Sequence, residues 1–304
     1  MSDTVIRCCK CKHNAIIFQK YSGMHLCPVH LVEDIERKIK KSIRKNFRIA
    51  KNDKIAVALS GGKDSTVTLF VLNKIFSERA DITLKAITVD EGIKGYRKNT
   101  IKLAKSFTEK IDIEHTVVSF EESYGVTLDE IVKQKQDQKP CTFCGVLRRA
   151  LLNNKAMELN CTKLATGHNL DDEAQTVLMN YLRGDIERLV RRVNVKEGFV
   201  PRIKPLIDIP EKEVALYAMI NNLCLDDSEC PYAKFALRQE IRDMINDYEI
   251  NHPGSKYALM RGFEKISNSI KVGSYDLLGC EICGAPSGDR LCKSCNLLKQ
   301  IKLV

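Results

Sequence analysis

The chain has 304 residues, with 49 Lys and Arg against 39 Asp and Glu, which gives a formal net charge of +10. Hydrophobic residues make up 44% of the composition, so wholesale disorder is excluded and there is enough apolar material for a core. No run approaches the roughly 18 consecutive apolar residues of a membrane span, and the polar N-terminus does not resemble a signal peptide. We therefore expect a cytoplasmic protein without a membrane segment, and the positive charge favours a polyanionic partner such as nucleic acid.

The first predicted element is a metal-binding knuckle. The chain contains 13 cysteines, and in a reducing compartment such an excess indicates metal ligands rather than disulfides. Two tight pairs, Cys8-x-x-Cys11 and Cys27-x-x-His30, suit a tetrahedral Zn²⁺ ion. Three nearby side chains are alternative ligands, although none preserves both spacings: Cys9, His13 and His25.

An amphipathic helix is predicted after the knuckle. Its apolar residues recur at every fourth position: Leu31, Ile35, Ile39, Ile43 and Phe47. Between residues 37 and 51 the chain carries only basic charges and no acid. This stretch is either a solvated helix face or a surface for RNA, and the absence of acids favours the second interpretation.

Strand-like and helix-like segments then alternate along the chain. The predicted strands are residues 55–59, 82–89, 113–120 and 162–166. The first of the predicted helices in this region ends near residue 76. The others cover residues 96–110, 128–136, 145–160 and 171–183, and residues 211–270 are predicted to be mostly helical. The alternation predicts an α/β fold with a parallel sheet that is covered by helices on both faces.

A glycine-rich segment, Ser60-Gly61-Gly62-Lys63-Asp64-Ser65, follows the first of these strands. Glycines allow a tight turn in which backbone N–H groups point at an anion from the start of the next helix. Lys63 adds a positive charge, and the hydroxyls of Ser60 and Ser65 can donate to phosphate. A purely structural turn is the alternative, but the order of polar and glycine residues favours a phosphate loop.

The pair Cys141-x-x-Cys144 stands alone, with Cys230-Pro231 far downstream. Spacing leaves three interpretations open, namely a redox or persulfide-carrying pair, an incomplete zinc site, and an iron–sulfur cluster held by three cysteines. Cys224 competes with Cys230 for the third position. For Cys161 and Cys224 we favour burial as small apolar side chains.

Acidic residues follow the fourth strand in the segment Gly167-His168-Asn169-Leu170-Asp171-Asp172-Glu173. Acids are favourable at a helix N-terminus, so capping is one interpretation. The other interpretation, which we favour, is that Asp172 binds Mg²⁺ or acts at the reacting base and that Gly167 lets a nucleotide approach.

The last element is a second metal motif. Cys280-x-x-Cys283 and Cys292-x-x-Cys295 are separated by turn-forming Gly and Pro residues. Four thiolates in this pattern predict a structural zinc ribbon that leaves no coordination position open.

The segment Ser60–Ser65 resembles the PP-loop of the N-type ATP pyrophosphatases, which cleave ATP between the α and β phosphates. The resemblance implies a Rossmann-like parallel sheet with ATP at the carboxyl ends of the strands. The adenine would then lie near the end of the second strand. The implied ATP-binding residues are Leu59, Ser60, Gly61, Gly62, Lys63, Asp64, Ser65, Val89, Gly167 and Asp172.

The segment 167–173 and the segment 180–185, Asn-Tyr-Leu-Arg-Gly-Asp, resemble those of the tRNA-thiolating PP-loop enzymes. The lone Cys-x-x-Cys with a distant Cys-Pro is similar to the subgroup in which three cysteines hold a 4Fe–4S cluster and leave one iron free. The two zinc knuckles are similar to the TtuA and cytoplasmic tRNA 2-thiolation protein type. On this resemblance Cys141, Cys144 and Cys230 become the expected cluster ligands.

The implied reaction replaces the C2 oxygen of a tRNA uridine with sulfur after adenylation by ATP, with release of pyrophosphate and then AMP. The implied cofactors are ATP, Mg²⁺, the 4Fe–4S cluster and two Zn²⁺ ions. Asp172 is the expected metal ligand or proton acceptor, with Cys141, Cys144 and Cys230 as the other catalytic residues. Sulfide or a thiocarboxylated ubiquitin-like carrier is the implied sulfur donor, and a homodimer is a further expectation.

Three alternatives stay open. A PP-loop enzyme could use a cysteine persulfide and disulfide relay in place of a cluster. It could also serve another nucleophile, as in lysidine synthetases or ammonia-using ligases, or the chain could be a non-catalytic zinc-knuckle RNA-binding protein.

The domain prediction divides the chain into four parts. These are an N-terminal knuckle at 1–30, a PP-loop ATP-binding catalytic domain at 31–210, a helical extension at 211–275 and a C-terminal zinc ribbon at 276–304.

Overall fold

The computed structural model describes residues 6–134, 138–185, 198–223, 228–233, 238–270 and 277–301. The strands are β1 (Ile17–Gln19), β2 (Met24–Leu26), β3 (Lys54–Ala58), β4 (Thr83–Asp90), β5 (His115–Ser119), β6 (Lys163–Ala165), β7 (Arg202–Ile203), β8 (Leu278–Gly279) and β9 (Pro286–Ser287). The helices are α1 (Pro28–Asn46), α2 (Lys63–Phe76), α3 (Arg97–Lys110), α4 (Phe120–Tyr124), α5 (Leu128–Lys133), α6 (Pro140–Glu158), α7 (Leu170–Leu182), α8 (Glu211–Ile220), α9 (Arg238–Asn251), α10 (Ser255–Ser269) and α11 (Lys293–Gln300).

Five parallel strands form the central sheet in the order β5-β4-β3-β6-β7, which confirms the predicted α/β class. After β3, the chain adds β4 and then β5 on one side of β3. It then crosses to the other side of β3, where β6 pairs with it. The loops that follow β3 and β6 therefore leave the sheet in opposite directions. Open parallel sheets bind ligands in the crevice at this point, outside the carboxyl ends of the strands.

Two apolar cores cover the two faces of the sheet. Successive side chains of a strand point to opposite faces, so Ile55 and Val57 of β3 enter one core while Ala56 enters the other. Helices α1, α2 and α8 complete the first core, and helices α5, α6 and α11 complete the second. The sheet edge that carries the two loops lies between these helical layers.

A small antiparallel hairpin precedes a helix near each end of the chain. β1 pairs with β2 ahead of α1, and β8 pairs with β9 ahead of α11. Cysteines stand at the starts of these helices, because Cys27 is the N-cap of α1 and Cys292 is the N-cap of α11. Each predicted knuckle therefore joins a hairpin to a helix, and these helices pack against α2 and α8 or against α6.

The structure corrects one sequence expectation and adds two short elements. Helix α6 begins at Pro140 and not near residue 145, because proline at the first helical position needs no hydrogen-bond donor there. The two-residue strand β7 and the short helix α4 were not predicted. The end of the helix predicted at 128–136 falls partly outside the described residues, within which α5 ends at Lys133.

Helices α8, α9 and α10 confirm the mainly helical character predicted for residues 211–270. Helices α9 and α10 both pack against α7, which starts beside the crevice. Within the described parts of the chain, no helix is both long and apolar enough to cross a membrane.

Candidate active site

The phosphate loop leaves β3 and turns at once into α2. Gly61 has a φ of 85°, and a Cβ at this position would lie 2.3 Å from the carbonyl oxygen of Thr100. Gly62 is the N-cap of α2 and offers no side chain to its first N–H groups. These N–H groups and the helix dipole provide a site for an anion at the start of α2.

The serines of the loop hold its shape. The amide of Ser60 donates to Ser65 Oγ at 3.1 Å, and Ser65 Oγ donates to the carbonyl of Gly62 at 2.9 Å. The amide of Gly62 donates to Ser60 Oγ at 3.3 Å. Ser65 is buried and occupied within the loop, whereas Ser60 is exposed at its rim.

Acidic side chains surround the lysine of the loop. Lys63 Nζ lies 3.1 Å from Asp64 Oδ1 and 3.4 Å from Glu211 Oε1, at the first turn of α8. Arg242 of α9 donates to both oxygens of Glu211, at 2.7 and 2.5 Å. The cation that the sequence assigned to phosphate is thus held in place by two carboxylates.

The second loop packs directly against the first. A Cβ on Gly167 would lie 2.8 Å from the backbone of Asp64, so a side chain there would separate the loops. Asn169 Nδ2 donates to Asp64 Oδ1 at 3.2 Å, while its Oδ1 accepts from the amide of Asp172 at 3.0 Å. Asn169 therefore connects the two acids that face the crevice.

Asp172 uses one oxygen for the predicted helix cap and the other for an ion pair. Its Oδ2 caps α7 by accepting from the amide of Asn169 at 3.2 Å, while Arg238 of α9 donates to its Oδ1 at 3.3 Å. Burial raises the pKa of Asp172, and burial also raises the pKa of Asp64. Two partly desolvated carboxylates beside an anion-binding loop form an oxygen-rich site of the kind that Mg²⁺ prefers.

A buried ion pair joins the phosphate loop to the far side of the crevice. Glu91 and Arg97 are 3% and 4% exposed, with Arg97 Nε 2.7 Å from Glu91 Oε2. Arg97 also donates to the carbonyls of Ser60, at 3.1 Å, and Val89. On the other side, Arg148 of α6 lies 3.5 Å from Glu91 Oε1.

The ends of β3 and β4 are fixed by backbone contacts. The predicted ATP-binding residues Leu59 and Val89 are both buried. Thr88 Oγ1 donates to the carbonyl of Leu59 at 2.6 Å, so the strand that would flank the adenine is tied to the phosphate loop. Any contact from Leu59 or Val89 to a nucleotide would come mainly through the backbone.

The three cysteines of the predicted cluster lie on two segments that meet at the start of α6. Cys141 and Cys144 occupy its first turns, and Cys141 Sγ lies 3.7 Å from the carbonyl oxygen of Tyr232 beside Cys230. Cys144 and Cys230 pack against the same apolar core. Burial raises the pKa of Cys144 to about 11, and it also raises the pKa of Cys230.

The structure gathers both sets of predicted knuckle ligands. The ligand atoms of Cys8, Cys11, Cys27 and His30 all lie within 4.8 Å of one another, as do those of Cys280, Cys283, Cys292 and Cys295. Cys11 Sγ and Cys27 Sγ are 3.7 Å apart, and Cys283 Sγ and Cys292 Sγ are 3.6 Å apart. The thiols of Cys141, Cys144 and Cys230 do not form a group within this distance in the described part of the chain.

Several site residues were missing from the sequence prediction. Glu91, Arg97, Glu211, Arg238 and Arg242 reach the site from other elements, and only the position of Glu91 just after a strand signalled it. Arg148 and Arg149 are both exposed on α6. Cys161 is buried as predicted, whereas Cys224 lies outside the described residues.

The fold and both loops define a PP-loop domain, and the family model of that description matches residues 31–248. A second family model, described as the N-terminal LIM domain of the 2-thiouridine synthetase TtuA, matches residues 7–32. Together with the relatives described next, these matches show that the chain belongs to the TtuA and tRNA 2-thiolation protein family of PP-loop proteins.

Similar proteins match over nearly the whole chain. The chain is 42% identical to the "Probable sulfurtransferase" of Methanocaldococcus jannaschii, over 98% of this chain and 89% of that protein. It is 38% identical to the cytoplasmic tRNA 2-thiolation protein 1 of Danio rerio, over 97% and 88%. Among solved structures, the U34-tRNA thiolase NcsA from Methanococcus maripaludis, with its [4Fe-4S] cluster, is 41% identical with a TM-score of 0.88, over 98% and 97%.

Proposed function

We propose that the chain is a tRNA-uridine 2-sulfurtransferase. The C2 oxygen of a uridine attacks the α-phosphate of ATP, and the bond to the β-phosphate breaks to release pyrophosphate. Sulfide then attacks C2, the C–O bond breaks, and AMP leaves with the original oxygen. One observation carries this proposal: Glu91 forms ion pairs with both Arg97 and Arg148. Arg97 donates a hydrogen bond to the phosphate loop, and Arg148 lies on the helix that carries two of the thiols. A nucleotide and a sulfur source could therefore meet at one sheet edge.

The nucleotide would bind between the two loops. The start of α2 and Lys63 would hold the phosphates, and Gly167 would leave room for their approach. The carboxylates of Asp64 and Asp172 would bind Mg²⁺, which offsets charge on the phosphates. The residues proposed to bind ATP are Leu59, Ser60, Gly61, Gly62, Lys63, Asp64, Ser65, Val89, Gly167 and Asp172.

Asp172 is the proposed catalytic carboxylate, as a metal ligand or as acceptor of a proton from the uridine. Its capping oxygen fixes the side chain on α7, while the other oxygen faces the crevice. Arg238 must release that second oxygen when Mg²⁺ binds, because the guanidinium group and the metal ion would compete for the same carboxylate.

Cys141, Cys144 and Cys230 would hold a 4Fe–4S cluster. Three thiols of two segments converge beside an apolar core, and three soft ligands suit such a cluster. When bound, the cluster would supply a coordination position for sulfide. The chain's own residues position the thiols through α6 and bring Arg148 one turn from Cys144.

A persulfide relay through the same cysteines is the alternative chemistry. It needs a thiolate nucleophile, and burial raises the pKa of Cys144 to about 11. A bound metal deprotonates its own thiol ligands, so it would overcome this cost directly. The raised pKa of Cys144 and its half-buried position on α6 therefore favour a ligand role.

The two other metal groups would each hold a structural Zn²⁺ ion. Cys8, Cys11, Cys27 and His30 form the first site, and Cys280, Cys283, Cys292 and Cys295 form the second. We propose the same four domains that the sequence predicts, with boundaries after residues 30, 210 and 275. The first boundary falls within α1, which already contains His30. A cytoplasmic location, a homodimer and a thiocarboxylated ubiquitin-like sulfur donor are further proposals.

Anaerobic reconstitution tests this function. The purified protein is loaded with iron and sulfide, supplied with ATP and unmodified tRNA, and the nucleosides are analysed by mass spectrometry. We expect 2-thiouridine that requires ATP, that is absent with Cys230→Ser and that persists with Cys161→Ala, whose buried thiol lies just before β6, at the sheet edge opposite the crevice. ATP-independent product, or equal product from both variants, would contradict the proposal.

A further inference from the structure

The orientation of helix α1 is fixed by its apolar face. Leu31, Ile35 and Ile39 are fully buried in the first core, and Ile43 is 6% exposed. This face packs against α2 and α8, so the opposite face of the helix points outward.

The outward face carries cations without partners. Lys40, Lys41 and Arg44 are exposed, and they form no hydrogen bond or ion pair with any other residue that the structure describes. By contrast, Arg37 and Lys38 both pair with Asp34, at 2.5 and 2.7 Å. The unpaired charges are therefore concentrated in the second half of the helix.

The spacing of these charges is unfavourable for the isolated chain. Lys40 and Arg44 are four positions apart, as are Arg37 and Lys41, and like charges at that spacing destabilise a helix. The same residues form one open face of α1, with Glu33 and Glu36 toward the start of the helix. An open, cation-rich helix face suits a long polyanion better than an enclosed small molecule.

The outward face of α1 that carries Lys40, Lys41 and Arg44 lies within reach of the crevice. Lys38 Nζ is 3.6 Å from Glu213, in the first turn of α8, which follows β7 at the carboxyl edge of the sheet. At 1.5 Å per residue, Arg44 lies only about 9 Å further along the helix. A folded RNA whose base enters the crevice is large enough to cover this surface as well.

We propose that Lys40, Lys41 and Arg44 of α1 bind the phosphate backbone of the substrate tRNA. The identity of the RNA rests on the proposed function, whereas the phosphate-binding role rests on the exposed, unpaired charges. These contacts are independent of sequence and position the RNA without reading its bases.

The test compares two variants with the same loss of charge. One carries Lys40→Gln, Lys41→Gln and Arg44→Gln, and the control carries Lys98→Gln, Lys102→Gln and Lys105→Gln on the exposed face of α3. The affinity for unmodified tRNA is measured over a range of salt concentrations, together with the affinity for ATP. Neither measurement requires thiolation, so the proposed function and this inference fail separately.

We expect the α1 variant to bind tRNA about tenfold or more weakly and to lower the salt slope of log affinity by about 2 to 3, with unchanged ATP affinity. The α3 variant should change both values much less. Equal losses in the two variants would overturn the proposal, because the attraction would then come from net charge alone. Unchanged tRNA affinity in the α1 variant would also overturn it and would point to an acidic protein as the partner of this face.

Discussion

Gly61 and Gly62 are neighbours in the phosphate loop, yet the structure requires glycine at only one of them. Gly61 has a left-handed φ of 85°, and a Cβ there would collide with the backbone of Thr100. Gly62 has a φ of −84°, and its Cβ would meet only Ser60 Oγ, at 3.5 Å. A residue with a side chain readily adopts the backbone conformation of Gly62, whereas the left-handed conformation of Gly61 favours glycine.

We expect Gly61→Ala to lower the free energy of unfolding by about 1 to 3 kcal/mol, because it adds backbone strain to a steric clash. Gly62→Ala is the matched control and should change the stability by less than about 1 kcal/mol. Urea denaturation of both variants measures the difference. Equal destabilisation would show that the loop relaxes around either methyl group and that its backbone is not fixed as described.

At this scale the sequence was informative where a function depends on consecutive residues. The residues Ser60–Ser65 signal a phosphate loop because the glycines, the lysine and the hydroxyls are adjacent. Glu211 contacts Lys63 of this loop, Arg242 holds Glu211, and Arg238 contacts Asp172, all from helices that follow the loop by more than a hundred residues. Such contacts depend on how helices pack, which a single sequence does not encode in any local pattern.

Helix α1 links the N-terminal metal group to the first core. Cys27 is its N-cap, His30 lies in its first turn, and Cys8 and Cys27 are both buried with the apolar residues of the helix. The hairpin of β1 and β2 has three residues per strand and little core of its own. A metal ion would therefore stabilise this element by joining the hairpin to the helix.

We expect Cys27→Ser to remove one of two bound zinc ions and to lower the melting temperature, since the hairpin loses its attachment to α1. Cys9→Ser is the control, because Cys9 is exposed and lies outside the group of four ligands. Metal analysis and thermal unfolding of both variants supply the measurements. Loss of zinc from the Cys9 variant, or two zinc ions in the Cys27 variant, would contradict the assigned ligands.

The sequence predicted long elements better than short ones. The apolar repeat of α1 is visible over five positions, whereas β7 consists of only Arg202 and Ile203 and has no pattern of its own. The start of α6 was misplaced although Pro140 carried a usable signal, because proline is common at the first helical position. That error mattered, since it placed Cys141 and Cys144 in a loop, whereas the structure has them on the helix.

Considered as a whole, the molecule has a metal group on each face of its sheet. The N-terminal group joins the first core through Cys8 and Cys27, and the C-terminal group joins the second through Leu297 and Leu298 of α11. The alternation of strands and helices predicted the layered fold. The assignment of each metal group to a face followed only from the strand order and the helix packing.

The central proposal is that the nucleotide loops and the three thiols serve separate halves of one reaction. The measurement that tests it most directly follows pyrophosphate release and tRNA thiolation together under anaerobic conditions, in the Cys230→Ser and Asp172→Asn variants. We expect Cys230→Ser to retain tRNA-dependent pyrophosphate release while forming no 2-thiouridine, and Asp172→Asn to lose both activities. The proposal would be contradicted if the Cys230→Ser variant thiolated tRNA at the rate of the unsubstituted protein, or if the Asp172→Asn variant kept full activity.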